Sequence, residues 1–278
     1  MLNVSGRLSA ICLFAALTLL SACWSRQPEV RLDNPADPRL PFGNPSNAAA
    51  DASNPDNYLL TKPTYVISYN NSRGTPNWVA WRTTAIDIGG DSPRPEFQPD
   101  PDLPAGFVRV TPSDYTGSGY DRGHMLPNAD RQGSPEANAE TFFMTNIVPQ
   151  TPDLNRFVWE KLERYARSIV RRGNDVYTFA GVYGAKGRLR KKVTVPEHCW
   201  KIIVVIPSGG PIQVDPSTRV IAVDMPNEKG IADANWRQYL TTVREIEQKT
   251  GFNFFSALPP DLQEAIETRP DLLSRREE

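Results

Sequence analysis

Proline decides where this chain can be regular. Its ring fixes φ and removes a backbone donor, so strands and helices are confined to the stretches between prolines. The sequence holds 26 prolines against 18 glycines, and they cluster. Six fall between Trp24 and Asn57, with Ala, Asn and Asp between them and no apolar period. That composition predicts an extended, hydrated tether over residues 23–57, whose later half, Gly43-Asn44-Pro45-Ser46, is placed to pack on the domain. Six more lie from Pro93 to Pro112 and predict that Ala85–Thr116 is mostly loop.

Between and beyond these clusters the pattern is globular. Tyr65–Tyr69 and Trp78–Thr83 read as strands rich in aromatic and β-branched residues, as do Val176–Tyr183, Trp200–Ile206 and Arg219–Val223. Thr141–Ile147 reads as a short strand stopped by Pro149. Leu154, Val158, Leu162, Tyr165 and Ile169 make the apolar stripe of a helix over Asp153–Arg172, closed by Gly173. Asn235–Lys249 predicts a second helix ending at Gly251, and Asp261–Thr268 a short third. The fold class expected is α+β, with a mixed or antiparallel sheet and helices packed on it, over a domain of residues 58–270 and a charged tail of residues 271–278. With 278 residues and 39% hydrophobic content, a sizeable core is within reach.

The N-terminus carries an address. Arg7 precedes an uncharged run whose apolar heart, Ile11–Leu20, has the length of a signal-peptide core and is too short to span a bilayer. It ends Leu20-Ser21-Ala22-Cys23, which resembles the bacterial lipobox, where cleavage precedes a cysteine that receives acyl chains. The expectation is a signal peptide over residues 1–22, lipidation at Cys23 and an exported protein anchored to a membrane, facing periplasm or surface. An ordinary signal cleaved after Ala22 is the plainer alternative. Three cysteines build no disulfide framework, and Cys199 is expected to be a buried free thiol.

Chemistry concentrates between Tyr120 and Arg167. The chain has two histidines, and one of them, His124, stands in Tyr120-Asp121-Arg122-Gly123-His124-Met125-Leu126-Pro127. Alone, such a histidine is as readily structural as functional. Further on come Thr145-Asn146-Ile147-Val148-Pro149-Gln150 and then Asn155, Trp159, Glu163 and Arg167 at four-residue steps. Each step turns a helix by roughly 40°, so these side chains form one slowly turning ridge beside the apolar stripe. The ridge also reads as a Trp anchor with an i,i+4 Glu163–Arg167 pair. His198-Cys199 offers too few ligands for zinc, and Trp78, Trp81, Trp200 and Trp236 read as core.

SGYDRGHMLPNADR, TNIVPQ and the Asn155…Trp159…Glu163 spacing resemble the DNA/RNA non-specific endonuclease family. These are ββα-metal, or His-Me finger, nucleases, a group that includes mitochondrial endonuclease G. The resemblance runs from about Gly43 to about Pro270 and takes in Trp200-Lys201, Met225-Pro226-Asn227 and Thr250-Gly251. It implies a ββα-metal finger site in which His124 is the general base and Asn155 the protein ligand of one Mg²⁺ ion, with Mn²⁺ or another divalent ion as the alternative. It implies that Glu163 holds metal-bound water, that Arg167 serves catalysis near the phosphate, and that Arg94 and Arg122 bind substrate. The substrates implied are DNA and RNA, cut without sequence preference to 5′-phosphate ends, with no small-molecule cofactor.

Elementary chemistry agrees with that set. An imidazole with an ordinary pKa near ~6.5 is a suitable base at neutral pH, and Mg²⁺ prefers oxygen ligands and keeps several waters. Net charge is −1, so the whole chain does not advertise an anionic partner. Residues 161–192 do, because ten Lys and Arg face only Glu163 and Asp175 there. Such a patch tracks phosphates without reading bases, or is simply a solvated face. The rival class is a non-catalytic surface lipoprotein that binds nucleic acid or another anionic polymer. The sequence leaves a homodimer open.

Overall fold

A computed structural model describes residue 2, residues 29–33, residue 35 and residues 37–272. The signal peptide, Cys12, the lipidation candidate Cys23 and residues 273–278 of the tail lie outside the described residues.

Strands β1 (Val30–Leu32), β2 (Tyr58–Thr61), β3 (Tyr65–Asn70) and β4 (Thr75–Thr83) come first. A long insertion follows, with β5 (Asp121–His124), α1 (Pro135–Glu140), β6 (Ile147–Gln150) and α2 (Glu160–Arg171), the last entered through a π-helical stretch, Leu154–Trp159. Next are β7 (Asn174–Tyr183), β8 (Gly187–Leu189), β9 (Val193–Val195), β10 (His198–Pro207), β11 (Ile212–Val214), β12 (Arg219–Pro226) and β13 (Leu240–Thr241). Helices α3 (Val243–Thr250) and α4 (Pro260–Glu267) close the fold.

Seven strands make one antiparallel sheet in the order β13-β12-β10-β7-β4-β3-β2. Because side chains alternate across a strand, each strand feeds two layers. Val79 and Trp81 of β4 and Cys199 and Ile203 of β10 meet Leu162 and Ile169 of α2. Trp78, Ala80, Trp200, Ile202 and Val204 enter the opposite layer with Phe254, Leu262 and Ile266. All four tryptophans read as core are buried, Trp78 and Trp200 in this layer and Trp81 and Trp236 in the one that holds α2. Burial pushes the Cys199 thiol up to about 12, which keeps it protonated and inert. Among the described residues no helix is long and apolar enough to cross a membrane.

β4 and β7 are neighbours in the sheet although residues 84–173 separate them. That insertion lies on the face holding α2 and carries every residue from Arg94 to Arg167. Its proline-rich part is ordered by tertiary contacts: Lys62 pairs with Asp100 and Asp102 at 2.6 Å each, and Thr145 donates to Asp100 at 2.6 Å. Gln98 is laced to the backbone of Phe142 and Met144.

Three expectations need correction. Thr141–Ile147 is not a strand: Met144–Asn146 is a tight helical turn and β6 begins at Ile147. The Asn146 side chain donates to the carbonyls of Leu126 and Thr141 and accepts from Leu126 N–H, and those bonds, two of them to a residue 20 positions away, displace a strand ladder. Pro149 does not stop this strand but sits inside it, tolerated because β6 pairs on one side alone, with β5. Asn235–Lys249 is not one helix. Asn235 caps a single turn, residues 240–241 pair with β12, and the helix restarts at Thr242, whose capping box with Glu245 supplies its N-terminus. Gly251, at φ 75°, ends it as expected. Ser46 packs on the domain, accepting from Trp78 Nε1 at 2.8 Å, and the chain joins the domain earlier still: β1 pairs with β11 and Phe42 is buried.

Candidate active site

β5 and β6 form a two-stranded ribbon that sets His124 opposite Ile147 and Asp121 opposite Gln150, and the helix from Leu154 packs behind it. A Cβ on Gly123 would lie 2.0 Å from Gln150 Oε1, so a larger residue here requires the buried Gln150 side chain to move.

His124 is wedged between aromatic rings, with Phe97 at 5.3 Å and Phe142 edge-on at 4.9 Å. Its Nε2 is buried and has no hydrogen-bond partner among the described residues. Burial first, and the Arg94 charge second, push its pKa down to about 3, so the ring is neutral throughout the physiological range. Arg94 lies 5.7 Å over Phe142, and Arg122 lies 4.9 Å over Phe97. Two exposed guanidinium groups and the imidazole therefore converge on one pair of phenyl rings. The Arg94 fork is available to an anion beside His124, and Arg122, which donates from Nη1 to the Pro112 carbonyl at 3.5 Å, offers the rest of its fork.

Asn155 lies in the π-helical stretch, a distortion that recurs at functional sites. Its Nδ2 donates to Asp121 Oδ2 at 3.0 Å, and Arg156 grips the same carboxylate at 2.8 and 2.7 Å. Arg156, opposed by burial and aided by Asn155, holds Asp121 below its ordinary carboxylate value. An amide whose nitrogen is fixed presents its oxygen in one direction, and nothing among the described residues donates to Asn155 Oδ1. Three residue steps, about 10 Å of strand, lead from Asp121 to His124. Asp121 carries no role in the sequence reading, and its place at the head of the motif is the signal that could have found it.

Glu163 and Arg167 do not form the i,i+4 pair. Glu163 meets Lys201 of β10 at 3.2 Å, and Arg167 meets Asp130 at 3.0 Å. Asp130 also accepts from Trp81 Nε1 and Thr83 Oγ1 at 3.2 Å. Lys201 sits 4.3 Å over Trp159 and 5.6 Å over Trp81, a boxed cation 2% exposed. Burial raises the Glu163 pKa above its ordinary value, while Lys201 and Arg167 oppose the shift. Arg167 is thus buried and its charge is committed to Asp130. A lysine interrupting the apolar run of β10 was the sequence signal for this network.

Asn227 is a clip. It accepts from Thr151 N–H and donates to the carbonyls of Pro149 and Pro196, which ties the start of the helix to the sheet. Of the ten cations in residues 161–192, most are engaged: Lys161 by Ala232, Arg164 by Glu160, Arg172 over Tyr165, Lys186 by Asn227, and Lys192 by Asp114. His198 bonds Asp224 at 2.9 Å and stacks on Tyr183, a structural placement.

A two-stranded ribbon, a following helix and an antiparallel sheet behind them make the ββα arrangement expected of this site. The same fold occurs in the crystal structure of the EndoG/EndoGI complex, with a TM-score of 0.67 at 24% identity over 80% of this chain and 91% of that one. The family model for DNA/RNA non-specific endonucleases matches residues 43–261. A nuclease of Nostoc sp. is 45% identical over 274 residues, covering 97% of this chain and all of that protein. Human mitochondrial endonuclease G is 31% identical over 211 residues, 70% of this chain and 69% of that one. The chain belongs to the DNA/RNA non-specific endonuclease family, and it is a nuclease.

Proposed function

We propose that this nuclease is a Mg²⁺-dependent endonuclease that cuts DNA and RNA without sequence preference and leaves 5′-phosphate ends. The observation that carries this reading is the neutral His124 ring, walled by Phe97 and Phe142, with Arg94 and Arg122 beside it. In this reading His124 takes a proton as water attacks phosphorus, the P–O3′ bond breaks, and the departing 3′ oxygen is protonated from solvent. Arg94 and Arg122 neutralise the nonbridging oxygens, where charge grows in the transition state. Glu163, whose charged form Lys201 and Arg167 favour against the burial that raises its pKa, holds water in this reading. Arg167, already paired, acts through the field at Glu163 rather than by gripping phosphate.

The residues fit a magnesium ion. Among the described residues no group of three His, Cys, Asp or Glu side chains converges as a metal cage. A single fixed amide oxygen, Asn155 Oδ1, suits an ion that keeps most of its water. When bound, such an ion supplies Lewis-acid relief of negative charge at the phosphate. Mn²⁺ would satisfy the same oxygen.

Plasmid DNA with Mg²⁺ and with chelator tests the reading directly. The parent should nick and linearise in Mg²⁺, and His124→Ala should be slower by about 10²–10⁴-fold. Parental speed in that variant removes the general base. DNA binding without cleavage in any divalent ion would favour the non-catalytic lipoprotein instead. The proposal places the enzyme outside the cytoplasm, held by lipid on Cys23. The mass of the mature N-terminus checks that, and an unacylated residue 23 would refute it.

A further inference from the structure

β8 and β9 are joined by three residues, Arg190, Lys191 and Lys192, in a turn closed by Lys192 N–H donating to the Leu189 carbonyl at 2.8 Å. Its two central residues, Arg190 and Lys191, have positive φ, 46° and 61°. Such a turn prefers Asn-Gly, because the left-handed region drives an L residue's Cβ toward the following carbonyl oxygen. Here the two positions hold the longest cationic side chains available. Both are exposed, and among the described residues neither has a hydrogen bond, ion pair or ring contact.

The stem beneath them is fastened. Arg188 donates to the carbonyls of Ser72 and Lys192, Lys192 pairs with Asp114, and Thr194 N–H donates to Arg73 at 2.7 Å. Leu189, Val193 and Val195 pack with Tyr115, Met144 and Ile147. Ile147 is the residue opposite His124 in the ribbon. The turn is therefore carried rigidly, one side-chain layer from the strand that ends in His124. A strand spacing, a packing layer and two residues of strand separate it from the imidazole, which bounds the distance at about 20 Å. At about 3.4 Å per base pair, that is at most roughly six base pairs of duplex.

We propose that Arg190 and Lys191 form a remote phosphate clamp, which grips the backbone of duplex nucleic acid within about six base pairs of the cleaved bond and makes the enzyme favour polymeric substrate. The inference rests on the nuclease reading of the His124 site. Phosphate is the occupant because the two cations have no carboxylate of their own, and the site they flank already presents Arg94 and Arg122 to an anion.

The test is the double variant R190N/K191G, whose turn suits both left-handed positions, with R190Q/K191Q as a second variant that keeps side-chain bulk and removes charge. A melting temperature at or above the parent's is expected for the first. Binding of a 30-bp duplex is measured with EDTA present, so no cleavage is required, and a dinucleotide serves as the short reference. Both variants should bind the duplex about tenfold more weakly at 0.1 M salt and lose more on the duplex than on the dinucleotide. The slope of log affinity against log salt should fall by roughly 1.8, two phosphate contacts' worth. Parental affinity and parental slope in both variants would overturn the clamp. If the parent binds duplex through the turn yet cuts nothing in Mg²⁺, the clamp stands and the nuclease reading of His124 falls. If it cuts while the variants bind like the parent, the reverse holds.

Discussion

The two faces of the central sheet are made from alternate residues of the same strands, and they are built for different work. Along β10, Trp200, Ile202 and Val204 enter a layer of Phe254, Leu262 and Ile266, where dispersion and water exclusion hold the sheet to α3 and α4. Their neighbours Cys199, Lys201 and Ile203 enter the other layer, where Lys201 meets Glu163 under two indoles. A buried pair like this stabilises little, since desolvation consumes most of its Coulomb energy. What it does provide is a charge held at a fixed place in a dry environment, which is the raw material of catalysis. One pleat therefore yields a layer that keeps the fold and a layer that positions chemistry.

If that division is real, mutations on the two sides should separate activity from stability. The largest effect is expected from His124→Ala, with cleavage down by about 10²–10⁴-fold and a melting temperature close to the parent's, because the change deletes a buried Nε2 that has no partner. A large drop in melting temperature would show that the histidine is also a fold determinant and blur the comparison. Trp200→Ala should do the opposite, costing about 3–5 kcal/mol of stability while the folded fraction keeps its turnover. Denaturant titration alongside single-turnover cleavage reads both, and a turnover defect would couple the layers. The smallest expected effect is Asp121→Asn, which replaces the acceptor of Asn155 and Arg156 without changing shape. Its half-maximal Mg²⁺ concentration should rise about 10–100-fold, the usual cost of losing an orienting partner. An unchanged titration would mean that Asp121 does not set the direction of the amide oxygen.

Much of the fold is legible in the sequence because its strands are long and apolar: those at Tyr65, Trp78, Val176, Trp200 and Arg219 lie where their patterns put them. The misreadings share a cause. TFFMTNI carries strand composition, but Asn146 ties the backbone into a turn. Asn235–Lys249 carries helical period, but an edge position on β12 draws two of its residues into the sheet. In both cases a partner distant in sequence overrides a local preference.

At the site, the motifs name the groups that would do the work: His124, Asn155, Glu163 and the arginines Arg94 and Arg122. That is the sequence's own contribution, since residue type and order carry the chemistry of base, amide, carboxylate and guanidinium. Which group faces which was decided by the folded chain. Asp121 reaches Asn155 across 34 residues and Lys201 reaches Glu163 across 38, while Arg167 turns to Asp130 instead of its helical neighbour. Such pairings depend on sheet register and on one widened helical turn, and both arise only when distant segments compete for the same buried space.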